Sequence, residues 1–365
     1  MTRLKKRSDG RYQKFIRYTD SDGNSKRKPV YGRTLRQLEE KVQKAIEEEK
    51  CKPGSCGGLT VGEWARTWLK TDKPDISYNT RKMYEIVINT YIVPAIGHLP
   101  LALVQLDDIQ ELLNASSDNG HKRTAQQIYI TLRQIFERAR KRNYIIKNPT
   151  LDAERPLYKK PDKRSLSDEE VQMVKQAPML LKEKTFILLL LHTGLRRGEA
   201  LALTRADLDM KNNCINVHKS LYFEINRPFI KPPKSKSGTR KVPIINELKP
   251  ILAEYLLSQN GSVLFPSASG EFMSQTAFRR FWVKIIKSLN EAGATASDIT
   301  LHIFRHTFCS CLVRTGVAIK DAQYILGHAS ARITLDWYTH FDPKATENVR
   351  NRLNQHVVKN VVNGL

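Results

Sequence analysis

Six residues spread over 143 positions have side chains suited to one reaction: Arg196, Lys236, His302, Arg305, His328 and Tyr338. They lie in TGLRRGE (193–199), KSKSG (234–238), HIFRHTF (302–308), LGH (326–328) and LDWYTH (335–340). Five of them are cationic or able to shuttle a proton, and the sixth is a phenol. Such a set can attack a phosphodiester without a metal.

Each side chain has a reason to be of its type. Arginine grips phosphate because its planar fork donates two bonds at once and stays charged. A lysine works as a general acid when neighbouring positive charge lowers its pKa. His302 and Arg305 stand three residues apart, so on a helix they share a face. A free phenol has a pKa near 10, so Tyr338 needs cations or a base beside it to become a nucleophile. Taken singly, each motif has an ordinary explanation: a core histidine, a surface tyrosine, a chance H-x-x-R pair. Tyr222 and Tyr324 compete with Tyr338 in residue type but not in spacing. Lys234 competes with Lys236, because the register of a turn is not readable to one residue.

Two decoys lead elsewhere. His302, His306, Cys309 and Cys311 are zinc-ligand types, but the glutamate of H-E-x-x-H is missing and the thiols would have to leave the helix. The expectation is no metal and no cofactor. Asp207-Leu-Asp209 lacks the further acids of a two-metal nuclease and reads as a turn after a helix.

The chain has 365 residues, 61 Lys and Arg against 37 Asp and Glu, and a net charge of +24. That excess implies a polyanionic partner, with nucleic acid ahead of a membrane surface. No apolar run approaches the roughly 18 residues of a membrane span, and MTRLKKRSDGR is not followed by a secretory apolar segment. Five scattered cysteines fit reduced thiols. A cytoplasmic, nucleoid-associated protein is the expectation.

The positioning elements fall into three blocks. Residues 1–57 hold strand-like runs at Arg11–Tyr18 and Arg27–Tyr31 around the Asp22-Gly23 turn signal. A capping box at Thr34–Gln37 then opens a helix with Leu35, Leu38, Val42 and Ile46 on one face. A three-stranded sheet backed by a helix fits, with a Gly-rich linker at its end. Residues 58–158 read as four helices, at Thr60 onward, Ser77–Tyr91, Leu106–Ala115 and His121–Arg142. Residues 159–365 read as a mixed, mainly helical α/β domain with strands at Cys214–Val217, Tyr222–Ile225 and Arg240–Ile244. A β-hairpin with its turn at Gly238 would carry the lysine. Candidate DNA contacts are Arg11, Lys14, Arg17, Thr80, Arg81, Lys82, Lys122, Arg123 and Arg133, although a solvated helix face explains a single charge equally well.

The ordered set from Arg196 to Tyr338, with these flanks and intervals, resembles the tyrosine recombinase (phage integrase) family, especially integrases of phages and conjugative transposons. The resemblance is strongest over 165–345 and weakest over 1–57. It implies a multidomain α+β fold: an arm-type DNA-binding domain, a helical core-binding (SAM-like) domain and a catalytic domain with a C-terminal tail. It assigns Tyr338 as nucleophile, Arg196 and Arg305 as phosphate clamps, and Lys236 as the acid for the leaving 5′ oxygen. His302 becomes a phosphoryl hydrogen-bond donor or a proton acceptor, and His328 a phosphate support. Arg197 fills a variable slot. Glu199 matches a supporting carboxylate, or is an ordinary acid of a helix N-terminus.

The implied activity is site-specific integration and excision through a 3′-phosphotyrosyl intermediate and a Holliday junction, without metal or ATP. The implied partners are core-type and arm-type duplex attachment sites and a homo-tetramer. An excisionase and a host DNA-bending protein are common accessories in the family. The alternatives are an Xer-like resolvase, a type IB topoisomerase-like strand transferase, a catalytically silent DNA-binding regulator, and a phosphate-binding enzyme of small substrates.

Overall fold

A computed structural model describes residues 6, 8–19, 25–50, 59–118, 120–159, 164–233, 236–294, 299–332 and 334–335. The chain divides into two compact units, Met1–Lys160 and Pro161–Leu365.

The first unit begins with an antiparallel hairpin. Strand β1 (Tyr12–Thr19) pairs with β2 (Ser25–Gly32) from Tyr12↔Gly32 to Thr19↔Ser25. Helix α1 (Leu35–Lys50) follows, with the Thr34 hydroxyl accepting from the Gln37 amide at 3.2 Å. Ile16 and Val30 meet Leu38, Val42 and Ala45, a small core of 3.6-residue spacing on the helix and alternation on the strands. Among the described residues this sheet has two strands rather than three. Leu35 is 48% exposed, so the buried helix face starts one turn later than the pattern predicted. The Ile46 side chain lies outside the description.

Helices α2 (Val61–Thr71), α3 (Tyr78–Ile86), α4 (Val93–Ile96), α5 (Leu106–Asp118) and α6 (Lys122–Lys141) complete this unit. A full capping box, Thr60 with Glu63, starts α2. The expected second helix continues beyond Tyr91: α3 passes through a π-helical turn, Val87–Ile92, directly into α4. Pro94 is the physical reason, because it has no N–H for the regular ladder and its ring crowds the preceding turn. Trp64, Trp68, Ile88, Ile109, Leu113, Ile128 and Phe136 are fully buried between these helices. Trp64 Nε1 donates to the Ile135 carbonyl at 3.0 Å, so its polar edge is satisfied inside the core.

The second unit is helix-rich with small antiparallel sheets. Helix α7 (Asp168–Gln176) opens on the Ser167/Glu170 capping box. Helix α8 (Leu181–Thr193) is buried on nearly every side, as expected for an apolar run without amphipathic period. Phe186 at its centre packs edge-on against Phe265 at 5.1 Å and Phe281 at 5.3 Å. After α9 (Arg197–Ala202) come β3 (Leu208–Asp209), β4 (Cys214–Val217), β5 (Ser220–Glu224), β6 (Arg227–Lys231) and β7 (Arg240–Pro243). They form two sheets, β3-β4-β7 and β5-β6. Helices α10 (Lys249–Leu257), α11 (Gln275–Glu291), α12 (Leu301–Arg314) and α13 (Ile319–Leu326) complete the described part.

The Gly238 segment does not form the expected hairpin. Strand β6 before it pairs with β5, and β7 after it pairs with β4. Lys236–Gly238 is a 3₁₀ turn linking two sheets. Pro232 and Pro233 explain this, because neither can donate to a ladder and β6 must stop before them. A Cβ on Gly238 would collide with the Pro233 ring, so the turn folds tightly back on the proline.

Candidate active site

Helix α8 ends at Gly194, whose φ of +60° is the left-handed conformation of a helix C-cap. A Cβ there would lie 2.5 Å from the Phe308 ring of α12, so glycine is required both by φ and by packing. Two residues on, Arg196 is the N-cap of α9. Its amide donates to Glu199 Oε2 at 2.9 Å, and its guanidinium donates to Glu199 Oε1 at 2.8 Å.

Helix α12 carries Arg305, which is 5% exposed. Its Nη1 donates to the Gly194 carbonyl and its Nη2 to the Leu326 carbonyl, each at 2.6 Å. A third arginine joins them. Arg240, at the start of β7, donates through Nη2 to Glu199 Oε2 at 2.9 Å and through Nε to the Ile325 carbonyl at 2.6 Å.

Helix α13 is the common anchor. Its last carbonyls have no partner within the helix and carry the negative end of its dipole. Ile325 accepts from Arg240, Leu326 from Arg305, and Gly327 from Arg196 at 3.1 Å. Three guanidiniums, distant in sequence, are thus locked onto three consecutive carbonyls, and His328 follows immediately. Gly327 has φ +63°, and a Cβ on it would stand 2.9 Å from Arg240 Nη1 and 3.1 Å from the Ser237 carbonyl. Gly327→Ala is therefore expected to lower stability by about 1–2 kcal/mol from the left-handed backbone alone. Urea denaturation measures it, and an unchanged midpoint would show that the cradle tolerates a methyl group.

Glu199 is the acid in contact with this cluster among the described residues. Burial alone would raise its pKa. The Arg240 hydrogen bond and charge, followed by Arg196, outweigh burial and hold it at about 2. Burial first, then the charge of Arg196, brings Arg305 down to about 10, still protonated at neutral pH. Three cations against one carboxylate leave an excess of positive charge, which a phosphate would neutralise.

His302 stands on the same α12 face as Arg305. Surrounding protein desolvates its ring, although part of the residue is open to solvent. This desolvation, then the charges of Arg305, Arg197 and Arg196, lowers its pKa from the usual value. A neutral imidazole at pH 7 is a proton acceptor. His328 is buried, with Nδ1 2.9 Å from the hydroxyl of buried Thr334. Arg196 and Arg305 therefore meet at the end of α13, His302 lies within reach of their charges, and His328 directly follows the Gly327 carbonyl that Arg196 grips.

Lys236 lies in the 3₁₀ turn, and its side chain is outside the described residues. The turn belongs to the cluster: Arg240 Nη1 donates to the Gly238 carbonyl at 3.2 Å. Lys234 and Tyr338 lie outside the described residues. The two competing tyrosines have other partners. The Tyr324 hydroxyl accepts from the Lys241 amide at 3.2 Å. The Tyr222 ring lies against Phe229 and under Lys231 Nζ at 4.6 Å.

Sequence reasoning passed over Arg240 and Thr334. Strand alternation held the signal for Arg240: it shares the inward phase with Val242, where an arginine needs a buried partner. No comparable signal marked Thr334. Among the described residues, no group of three or more His, Cys, Asp and Glu side chains could hold a metal.

The candidate DNA contacts of the first unit are exposed to different degrees. Lys14, Lys82, Lys122, Arg123 and Arg133 are exposed. Arg11 is exposed, pairs with Asp9 and lies over the Tyr31 ring at 5.3 Å. Arg81 is engaged by the Lys73 and Pro74 carbonyls, and the Thr80 hydroxyl by Ser77. Arg17 is in β1, but its side chain is outside the description. Arg133 lines a surface cavity of about 660 Å³ with Lys73, Arg138, Lys141, Arg155 and Trp68.

Comparison with known proteins identifies the family. The phage integrase family matches residues 165–345, and the phage integrase central domain matches 61–155. The chain belongs to the phage integrase family. It is 27% identical to a "Tyrosine recombinase XerC-like" protein of Caldanaerobacter subterraneus subsp. tengcongensis, over 92% of this chain and 93% of that relative. It is 27% identical to the transposase from transposon Tn916 of Enterococcus faecalis, over 75% of this chain and 73% of the relative. Among solved structures, the Tn1549 transposon integrase in complex with a circular intermediate DNA superposes with a TM-score of 0.71 at 25% identity. That match covers 81% of this chain and 99% of the other. A lambda integrase tetramer bound to a Holliday junction shares the fold, with a TM-score of 0.59, 21% identity, and coverage of 90% and 96%.

Proposed function

We propose that this member of the phage integrase family cuts and rejoins DNA at specific sites through a 3′-phosphotyrosyl intermediate, integrating and excising a mobile element. The carrying observation is the lock of Arg196, Arg240 and Arg305 on the end of α13. It presents concentrated positive charge beside two histidines, with Glu199 fixing the geometry. Such a preorganised set stabilises charge that develops on non-bridging phosphoryl oxygens.

In this mechanism the Tyr338 oxygen attacks the scissile phosphorus and forms the P–O bond. His302 accepts the phenolic proton. Arg196 and Arg305 neutralise the phosphoryl oxygens, and His328 supports them. The P–O bond to the 5′ oxygen breaks, and Lys236 protonates the departing oxygen. A 5′ hydroxyl from a partner duplex then attacks the phosphotyrosine and restores the phenol. One phosphodiester is exchanged for another, so the chemistry calls for neither metal nor ATP.

Residues 1–57, 58–158 and 159–365 are proposed as arm-binding, core-binding and catalytic domains, assembling as a tetramer on DNA in the cytoplasm. The family matches over 61–155 and 165–345 support the second and third of these divisions, and the lambda integrase tetramer on a Holliday junction supports the tetramer. An excisionase and a host DNA-bending protein are the proposed accessory partners.

The test is to incubate the protein, in EDTA, with nicked duplexes made from the ends of its element. A covalent adduct that survives denaturation is expected, with strand-exchange products in the same reaction. An adduct without exchange would turn the reading to a topoisomerase-like strand transferase. No adduct on DNA that the protein binds would indicate a silent DNA-binding regulator.

A further inference from the structure

Arg197 has no role in the mechanism above, although it is adjacent to Arg196. The two side chains part at the start of α9. Arg196 is held by Glu199 and the Gly327 carbonyl. Arg197 instead lies between two aromatic rings, its guanidinium carbon 5.7 Å from the Phe223 centroid and 5.5 Å from that of Phe278. Phe223 is on β5 and Phe278 on α11, and both are buried. The position of β5 is set by close approach to α9, since a Cβ on Gly198 would lie 2.5 Å from the Leu221 carbonyl. The clamp is therefore built from three elements of the unit.

Stacking on aromatic faces orients a guanidinium without using its N–H donors. Among the described residues, Arg197 has no hydrogen-bond or ion-pair partner. It nevertheless remains exposed. Its charge acts on the His302 ring, as do those of Arg196 and Arg305. Desolvation by the surrounding protein lowers its own pKa, so this charge is held where solvation is incomplete. An oriented, partly desolvated guanidinium with unused donors beside a phosphate site is suited to an anionic ligand.

We propose that Arg197 binds a DNA backbone phosphate next to the one gripped by Arg196 and Arg305, with Phe223 and Phe278 holding its planar fork toward the strand. This rests on the recombinase reading and adds a phosphate contact to it. The contact positions the strand and carries no sequence information.

The test compares wild type, Arg197→Met and Arg197→Lys for binding to a mixed-sequence duplex across a salt series. Phosphate contacts dominate such binding, so the cognate site is not required. Methionine keeps apolar packing between the rings and removes the donors. Arg197→Met is expected to weaken binding about tenfold, as for loss of one charge-assisted contact. It should also reduce the slope of log K against log salt by about 0.9, with an unchanged thermal midpoint. Arg197→Lys should restore the slope but not the full affinity, because ammonium lacks the stacked fork. Wild-type affinity and slope in Arg197→Met would overturn the proposal while leaving the recombinase reading intact. A lowered thermal midpoint with wild-type slope would overturn it too, by making Arg197 a packing residue. If the wild-type chain itself does not bind the duplex, the recombinase reading fails with it.

Discussion

Tyr338→Phe is expected to bind duplex DNA like the wild type and to form no covalent adduct with a nicked duplex. Removing one oxygen keeps the aromatic ring and deletes the atom proposed to form the new bond to phosphorus. Loss of an essential nucleophile lowers rate by at least about 10³-fold, so the adduct band on a denaturing gel should vanish. Retained binding, measured on the same duplex, separates lost chemistry from lost folding. A band of wild-type intensity would assign the nucleophile to another residue. Tyr324 and Tyr222 are poor replacements: the first accepts a hydrogen bond from the Lys241 amide, and the second is covered by Phe229 and Lys231.

Glu199→Ala is the second large effect, on stability rather than chemistry. The Arg240 side chain has no solvent exposure, and Glu199 takes two of its hydrogen bonds. Removing one partner of a buried ion pair typically costs about 3–5 kcal/mol, because the remaining charge is buried without compensation. Urea denaturation should show a loss of that size. Adding Arg240→Met to Glu199→Ala should recover part of it, since an apolar pair replaces the orphaned charge. A loss well below 1 kcal/mol in the single variant would mean the pair is not closed in solution.

The same pair predicts an acid limit. Glu199 has a folded pKa of about 2 against an ordinary 4.5. Its contribution is complete above about pH 4.5 and disappears as pH falls toward 2, a change of about 3 kcal/mol by linkage. Glu199→Gln should lack that part of the acid sensitivity.

The helix start at Arg196 and the shared face of His302 and Arg305 were legible in the sequence because those motifs carry their own local geometry, while the roles proposed for them and for His328 came from the family resemblance. TGLRRGE contains a helix end, a left-handed glycine and a new helix start. His302 and Arg305 share a face by helical spacing alone. The mixed, helix-rich α+β architecture followed from periodicity in the same way. The lysine turn was misread where local pattern gave way to pairing partners. KSKSG has hairpin chemistry, but Pro232 and Pro233 end β6, and β7 finds β4 instead. The helix through Tyr91 was cut short for a similar reason, since a π turn absorbs Pro94 where a simple rule would end the helix.

Residue types and intervals determined, by themselves, which side chains could act on a phosphodiester and that a polyanion is the partner to expect. Tertiary structure decided how those side chains are held. Arg240 joins Arg196 and Arg305 because three consecutive carbonyls at the end of α13 need donors, and a helix in the chain's last third is closed by arginines from β7, α12 and the start of α9. No linear pattern encodes that closure, since it arises from unsatisfied backbone groups that exist only once the helix has formed and docked.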